Sequence, residues 1–179
     1  MKWWPSLAGV GFAAFVAFDL FRDNQNGADF APIVAASGLV YLAAAALGKP
    51  SAAWPLFFLS VLVITAAEIG WIQFDPTWGL IGLAAAFFGY GLWRGMVRRR
   101  AGLPLQTIAM AGFGAVAAVA LVVNGPAGAY LVAAGLLAHA AWDVHHHRAN
   151  RVVSRSLAEF CFVLDTLLAA AIIVATALR

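Results

Sequence analysis

Apolar residues fall into seven runs, each closed by a short polar or turn-forming stretch. The runs are Trp4–Phe21, Phe30–Leu47, Ala52–Trp71, Trp78–Val97, Leu103–Val123, Ala127–His146 and Ser156–Leu178. Each has about the 17–25 residues that an α-helix needs to cross the hydrocarbon of a bilayer. The connections carry turn chemistry: Arg22-Asp23-Asn24-Gln25-Asn26-Gly27, Gly48-Lys49-Pro50, Phe74-Asp75-Pro76, the Arg98–Pro104 stretch, Asn124-Gly125-Pro126 and Arg148–Ser154. All are short, so consecutive helices are expected to be antiparallel neighbours. The predicted fold is all-α: one domain, 1–179, built as an integral membrane bundle of seven transmembrane helices.

Composition agrees with this pattern. The chain is 64% hydrophobic and 11% charged, more apolar than a soluble domain of 179 residues requires. A net charge of +3 would allow nucleic-acid binding, but the basic residues cluster beside helix ends, so no nucleic-acid partner is expected. With seven spans, Lys2, Lys49, Arg94, Arg98, Arg99, Arg100, Arg148, Arg151 and Arg155 fall on one side, and only Arg22 and Arg179 on the other. That asymmetry predicts a cytoplasmic N-terminus and an outer C-terminus. All seven tryptophans lie near span ends, as in an interfacial aromatic belt. The single cysteine, Cys161, excludes an internal disulfide and any CxxC site. Only Lys2 precedes the first run and no A-x-A site follows it, so that run reads as a retained helix. The expected location is a bacterial plasma (inner) membrane. A weak internal repeat matches Tyr41–Leu47 to Tyr130–Leu136, with five of seven positions identical. It suggests a parallel 3+1+3 arrangement.

The chemistry gathers in His139-Ala140-Ala141-Trp142-Asp143-Val144-His145-His146-His147-Arg148, which holds all four histidines. His139, Asp143 and His146 stand at i, i+4 and i+7, on one helix face. Ionisable groups at the end of an apolar helix are costly to place and mark a functional candidate. Folding the chain back around Asn150 sets Asp143 level with Ala158 and Glu159. It sets His139 level with Cys161 and Phe162, with Asp165 about one turn deeper. The hairpin can thus gather His139, Asp143, His146, Glu159, Cys161 and Asp165 into one polar seam.

Imidazole and carboxylate donors on facing bundle helices suit zinc, iron or manganese. His139, Asp143 and His146 are the expected ligands, with Glu159 or Asp165 as a further ligand or general base. A bound metal would activate water in a dry bundle for hydrolysis or oxidation of a lipid-like substrate. The competing structural reading makes His145–Arg148 a solvated basic end, with Asp143 paired to Arg148 or Arg151 and Glu159 to Arg155. Asp165, in mid-helix, is expected to pair with His139, face a wet cavity, or bond a neighbour such as Tyr41 or Tyr130. Two further functions remain open. One is a proton- or cation-coupled transporter or channel using Asp165, His139 and Glu68. The other is a non-catalytic subunit of a larger membrane complex. Expected partners are the bilayer and a lipid-like molecule or cation, and the chain could form a homo-oligomer.

Some seven-helix functions are excluded. The last helix has no lysine for a retinal Schiff base, and four histidines are too few for the boxes of membrane desaturases. Ser37, His139, Asp143 and His146 are similar only in kind to the zinc hydrolases of the alkaline ceramidase and progestin-receptor-like type, whose motif order and spacing differ. A Ser37–His139 dyad lacks a GxSxG context. The segment HAAWDVHHHRANRVVSRSLAEFCFVLD, His139 to Asp165, resembles an uncharacterised family of small bacterial multi-spanning membrane proteins. It covers about a seventh of the chain. The resemblance implies a membrane fold and no particular activity.

Overall fold

A computed structural model of the protein describes residues 3–22, 25–71, 73–98 and 102–179. Lys2, Asp23, Asn24, Arg99 and Arg100, which enter the charge count and turns above, lie outside the described residues. Among the described residues 87% are helical and no strand occurs, so the all-α class holds. Seven α-helices follow in order: α1 Trp4–Arg22, α2 Ala31–Leu47, α3 Ala53–Glu68, α4 Pro76–Trp93, α5 Leu103–Val123, α6 Gly125–Ala149 and α7 Arg155–Ala177. Short 3₁₀ turns, Gly27–Phe30 and Pro50–Ala52, lead into α2 and α3.

The helix boundaries have local causes. Proline sits in the first turn of α2, α4, α5 and α6, where its missing N–H leaves no bond unmade. Asp75 caps α4 by accepting from the Thr77 N–H at 2.8 Å. Gly48 closes α2 at φ 65°, a left-handed geometry that glycine adopts without steric penalty.

Six helices are long and apolar enough to cross a membrane. α4 is the remaining one. With 18 residues it is no shorter than α2 or α3, so apolarity and not length sets it apart. Its apolar content is diluted by Gly79, Gly82, Gly89, Tyr90 and Gly91. The expected run to Val97 breaks at Trp93, after which Gly95 takes φ 69°. Likewise α3 ends at Glu68 rather than Trp71, because Gly70 at φ 78° turns the chain. Leu7, Phe15, Phe18, Leu62, Ile108 and Val122 are all exposed. An outward surface this apolar fits lipid contact and not water.

The two ends of the bundle are distinct. At one end Asn26 donates from Nδ2 to Asn124 Oδ1 at 2.9 Å, and Arg179 donates to the carbonyls of Gln25 and Leu20. At the other, Trp54 Nε1 donates to Ser156 Oγ, Ser6 Oγ donates to Glu159, and Arg94 reaches the Leu47 carbonyl. The chain therefore alternates between ends with every helix, α4 included.

α2 is the central helix. Seventy-eight per cent of its span is buried, against half or less for the other five span-length helices. It packs on α5, α4, α3 and α6, while α1 lies along α7 and α6 pairs with α7. Ala31, Ala35 and Ala43–Ala46 make it slim enough to be surrounded. The repeated segments occupy unlike surroundings: Tyr41 is buried in α2, whereas Tyr130 is exposed on α6.

Close approach is set by glycine at specific crossings. A Cβ on Gly128 would lie 2.6 Å from the Ala120 carbonyl oxygen, and one on Gly9 would lie 2.8 Å from that of Phe160. Both obstacles are backbone and cannot rotate away. Gly82, by contrast, meets nothing within 4 Å. Gly128→Val is expected to destabilise the bundle by about 1–3 kcal/mol through overpacking, with Gly82→Ala close to neutral. Thermal unfolding in detergent followed by circular dichroism checks this; equal melting points for the two variants would contradict the crossing geometry.

Candidate metal centre

The centre begins with the α6–α7 hairpin. α6 ends at Asn150, whose φ 50° and ψ 50° place it in the left-handed region that asparagine tolerates. Val152 follows at φ 69°, and the Val153 N–H donates to the Arg151 carbonyl at 2.8 Å. That is a three-residue γ-turn with positive φ, an outlier for a β-branched side chain. Val152 and buried Val153 pack against the core, which holds the turn in place. Ser154 then caps α7 by accepting from the Leu157 N–H. The chain reverses within a few residues, and this fixes which side chains of α7 face α6.

His139, Asp143, His146 and Asp165 are all buried, none more than 3% exposed. The three α6 residues share one face, as their spacing requires, while His145 is exposed and His147 half-buried. Asp165 Oδ2 lies 2.7 Å from His139 Nδ1, and Asp143 Oδ2 lies 3.2 Å from the same nitrogen. Two carboxylates thus converge on one imidazole atom. Side chains on a helix lean toward its N-terminus, so His139 on α6 and Asp165 on α7 reach toward one another across the hairpin.

Asp143 is oriented from α2. Tyr41 Oη donates to Asp143 Oδ1 at 2.6 Å, and its ring stands edge-on to both His139 and His146. Phe113 of α5 closes over His139 in the same T-shaped way. Asp143 Oδ2 and His139 Nε2 are buried without a hydrogen-bond partner among the described residues. Unsatisfied buried polar atoms are rare in native proteins and call for a physical explanation.

His146 stands outside this convergence. Trp142 Nε1 can only donate, so the Gln106 oxygen it meets at 3.3 Å must be the amide carbonyl. The Gln106 amide nitrogen then donates to His146 Nε2 at 3.0 Å, and His146 Nδ1 donates to the Trp142 carbonyl at 3.0 Å. Both ring nitrogens are engaged, and no lone pair remains for an ion. The group whose donor atoms lie together is His139, Asp143 and Asp165, all within 4.8 Å of one another. The expected set of His139, Asp143 and His146 thus changes at one position. Helical spacing put His146 on the correct face, but Gln106 from α5 occupies it.

The spacing fits a metal ion. Zinc–nitrogen and zinc–oxygen bonds of about 2.0–2.2 Å imply tetrahedral ligand separations of about 3.3–3.6 Å. Asp143 already lies near that distance from His139, and Asp165 needs to open by roughly 0.6–0.9 Å from its hydrogen-bonded position. His139, Asp143 and Asp165 could therefore hold a metal ion.

Two cavities flank the centre. A small one of about 30 Å³ is lined by Ser37, Tyr41, His139, Cys161, Asp165 and apolar residues. It is large enough for a water-sized ligand. Ser37 Oγ donates to the Ile33 carbonyl, so its hydroxyl is committed to its own helix rather than to His139. On the other side a cleft of about 480 Å³ opens between the ends of α6 and α7 and includes Asp143 and Glu159 in its walls. Glu159 accepts a hydrogen bond from Ser6 of α1 and forms no ion pair with Arg155 among the described residues. Asp143 likewise pairs with neither Arg148 nor Arg151. The outer acids do not extend the cluster: Glu68 is exposed at the end of α3, and Asp75 serves as a helix cap.

No protein-family model matches the chain, and neither curated proteins nor solved structures yield a match. The site is therefore read from its own geometry.

Tyr41→Phe removes the donor to Asp143 Oδ1 and leaves that oxygen buried without a partner. The expected loss is about 1–3 kcal/mol, whereas Tyr130→Phe, at an exposed position, should stay within about 0.5 kcal/mol of wild type. Chemical or thermal unfolding of the two variants side by side tests the assignment.

Proposed function

We propose that the chain is a seven-span integral membrane metalloprotein of a bacterial plasma membrane, with its N-terminus cytoplasmic and one transition-metal ion held by His139, Asp143 and Asp165. The alternation of bundle ends, α4 included, supports the seven-span count. The excess of Lys and Arg at the α6–α7 end supports the orientation. Zinc, iron and manganese all suit a donor set of one imidazole and two carboxylates.

The observation that carries the reading is the convergence of two buried carboxylates on one imidazole nitrogen, with Asp143 Oδ2 left without a hydrogen bond. With both acids ionised, the cluster has more negative than positive charge in apolar surroundings, and a bound cation offsets that excess. Tyr41 orients the Asp143 ligand, as residues around metal sites commonly do. A metal there could activate water. The adjoining cleft gives a lipid-like substrate a lateral route to the centre, and Glu159 on its wall is the candidate general base. The proposed activity is metal-dependent hydrolysis or oxidation of such a substrate.

A second reading has one observation in its favour. Asp143 lies in the wall of the outer cleft with its side chain buried behind it, while His139 and Asp165 line the inner cavity. A chain of polar groups so placed could pass a proton or small cation, which supports a transporter.

Elemental analysis of untagged protein, purified without chelators, decides between them. The metalloprotein reading expects about one metal ion per chain, lost in Asp165→Asn and in His139→Ala but retained in His146→Ala. A stable protein free of metal would overturn it. The transporter reading then expects pH-dependent flux in liposomes that Asp165→Asn abolishes.

A further inference from the structure

We infer that the cleft beside the metal centre is a headgroup site for a zwitterionic aminophospholipid. The inference rests on reading the cleft as the route to the centre, and it names the class of molecule that enters. Its volume of about 480 Å³ is in the range of small-molecule sites.

The walls are amphipathic in an ordered way. Trp3, Val144, Ala158 and Phe162 supply apolar surface, and Trp3 and Phe162 are themselves exposed. Trp3 is at the very start of the helical bundle, where an indole suits the level of lipid headgroups. The charged groups come from two helices. Arg148 stands at the end of α6, with half-buried His147 beside it, and Glu159 lies on α7. Arg148 has no carboxylate within 4.0 Å among the described residues, so its guanidinium is not already neutralised. Ser6 occupies one oxygen of Glu159, and the other takes no hydrogen bond from the described residues. A cation and an anion therefore face one cleft as separate, unspent charges.

That combination selects among lipids. A guanidinium binds a phosphate oxygen pair through two parallel N–H bonds. A carboxylate binds a primary ammonium, whose N–H groups a quaternary choline lacks. The same Glu159 carboxylate repels a headgroup that is purely anionic. Phosphate on Arg148 and ammonium on Glu159 satisfy both walls at once, with the acyl chains leaving between Trp3 and Phe162 toward the bilayer. Free inorganic phosphate would meet Arg148 without satisfying Glu159.

The test is binding to delipidated, untagged full-length protein in detergent. The probes are short-chain phosphatidylethanolamine, phosphatidylcholine, phosphatidylglycerol and inorganic phosphate, each read by native mass spectrometry and by shift of melting temperature. Phosphatidylethanolamine should bind about tenfold or more tightly than the other probes. Arg148→Gln, at an exposed position that leaves the fold intact, should weaken binding of every phospholipid by about tenfold. Glu159→Gln keeps an acceptor for Ser6 and should remove only the preference for ethanolamine over choline. The inference is overturned by tightest binding of phosphatidylglycerol, by equal binding of the choline lipid to wild type, or by inorganic phosphate binding as well as the lipid. Metal content, measured on the same samples, separates the two ideas. Selective lipid binding by a metal-free protein overturns only the metal reading. A metal-loaded protein without lipid selectivity overturns only this one.

Discussion

Everything in this bundle is arranged around the approach of two carboxylates to one imidazole nitrogen inside apolar surroundings. Asp143 and Asp165 both reach His139 Nδ1, at 3.2 and 2.7 Å. Such a group cannot be left loose. An ionised carboxylate separated from its partner in a dry interior costs several kcal/mol, so α6 and α7 have one permitted register. A slip of one residue along α7 would rotate Asp165 by about 100° and take it off His139. The strained turn at Val152 and the left-handed Asn150 are the backbone conditions for that register. They persist because the packing around them, buried Val153 included, determines their conformation from both sides.

The constraint spreads outward through hydrogen bonds that leave few degrees of freedom. Asp143 is held by Tyr41, whose ring also contacts His146. His146 is held by Gln106, and Gln106 by Trp142. Four helices, α2, α5, α6 and α7, thus contribute to one network. The order of donors and acceptors in it is forced from one end, because indole nitrogen can only donate. This explains why two histidines on the same helical face differ in character. His139 meets anions and retains a free ring nitrogen, whereas His146 is fully used by neutral partners. A network this satisfied around a core with two unsatisfied atoms localises the chemistry at His139 and Asp143.

Much of this was legible in the sequence. The helices, their short connections and the buried face of α6 followed from apolar runs and from i, i+4, i+7 spacing, and the hairpin followed from the basic loop around Asn150. The pairing of His139 with Asp165 was one of the alternatives that the mid-helix position of Asp165 left open, and the packing of α7 on α6 selects it. The identity of the third converging residue did not. Spacing on one helix ranks His146 equal to His139, and only the neighbour from α5 separates them. Gln106 carried a usable signal, as the one amide inside a spanning segment, but its target depends on how α5 packs. Tyr41 was visible as a buried phenol in an alanine-rich helix, yet its choice of Asp143 over Asp165 depends on the rotation of α2. The lower apolarity of α4 was written in its glycines, tryptophans and tyrosine, which a count of apolar letters passes over.

Asp143 is the residue through which the inside and the outside of the site communicate. Its Oδ1 is fixed by Tyr41, its Oδ2 is directed at His139 without a completed hydrogen bond, and the residue lies in the wall of the cleft with its side chain fully buried behind that wall. α6 passes at this level from the packed interior to the headgroup region, where Arg148 and His147 begin. On the proposed reading, a ligand in the cleft would lie against the residues that enclose the cluster, whose own side chains stay buried. On that reading the geometry would reconcile two requirements that usually conflict in a membrane: a dry centre, where electrostatic interactions are strong, and access for an amphiphile that arrives from the side.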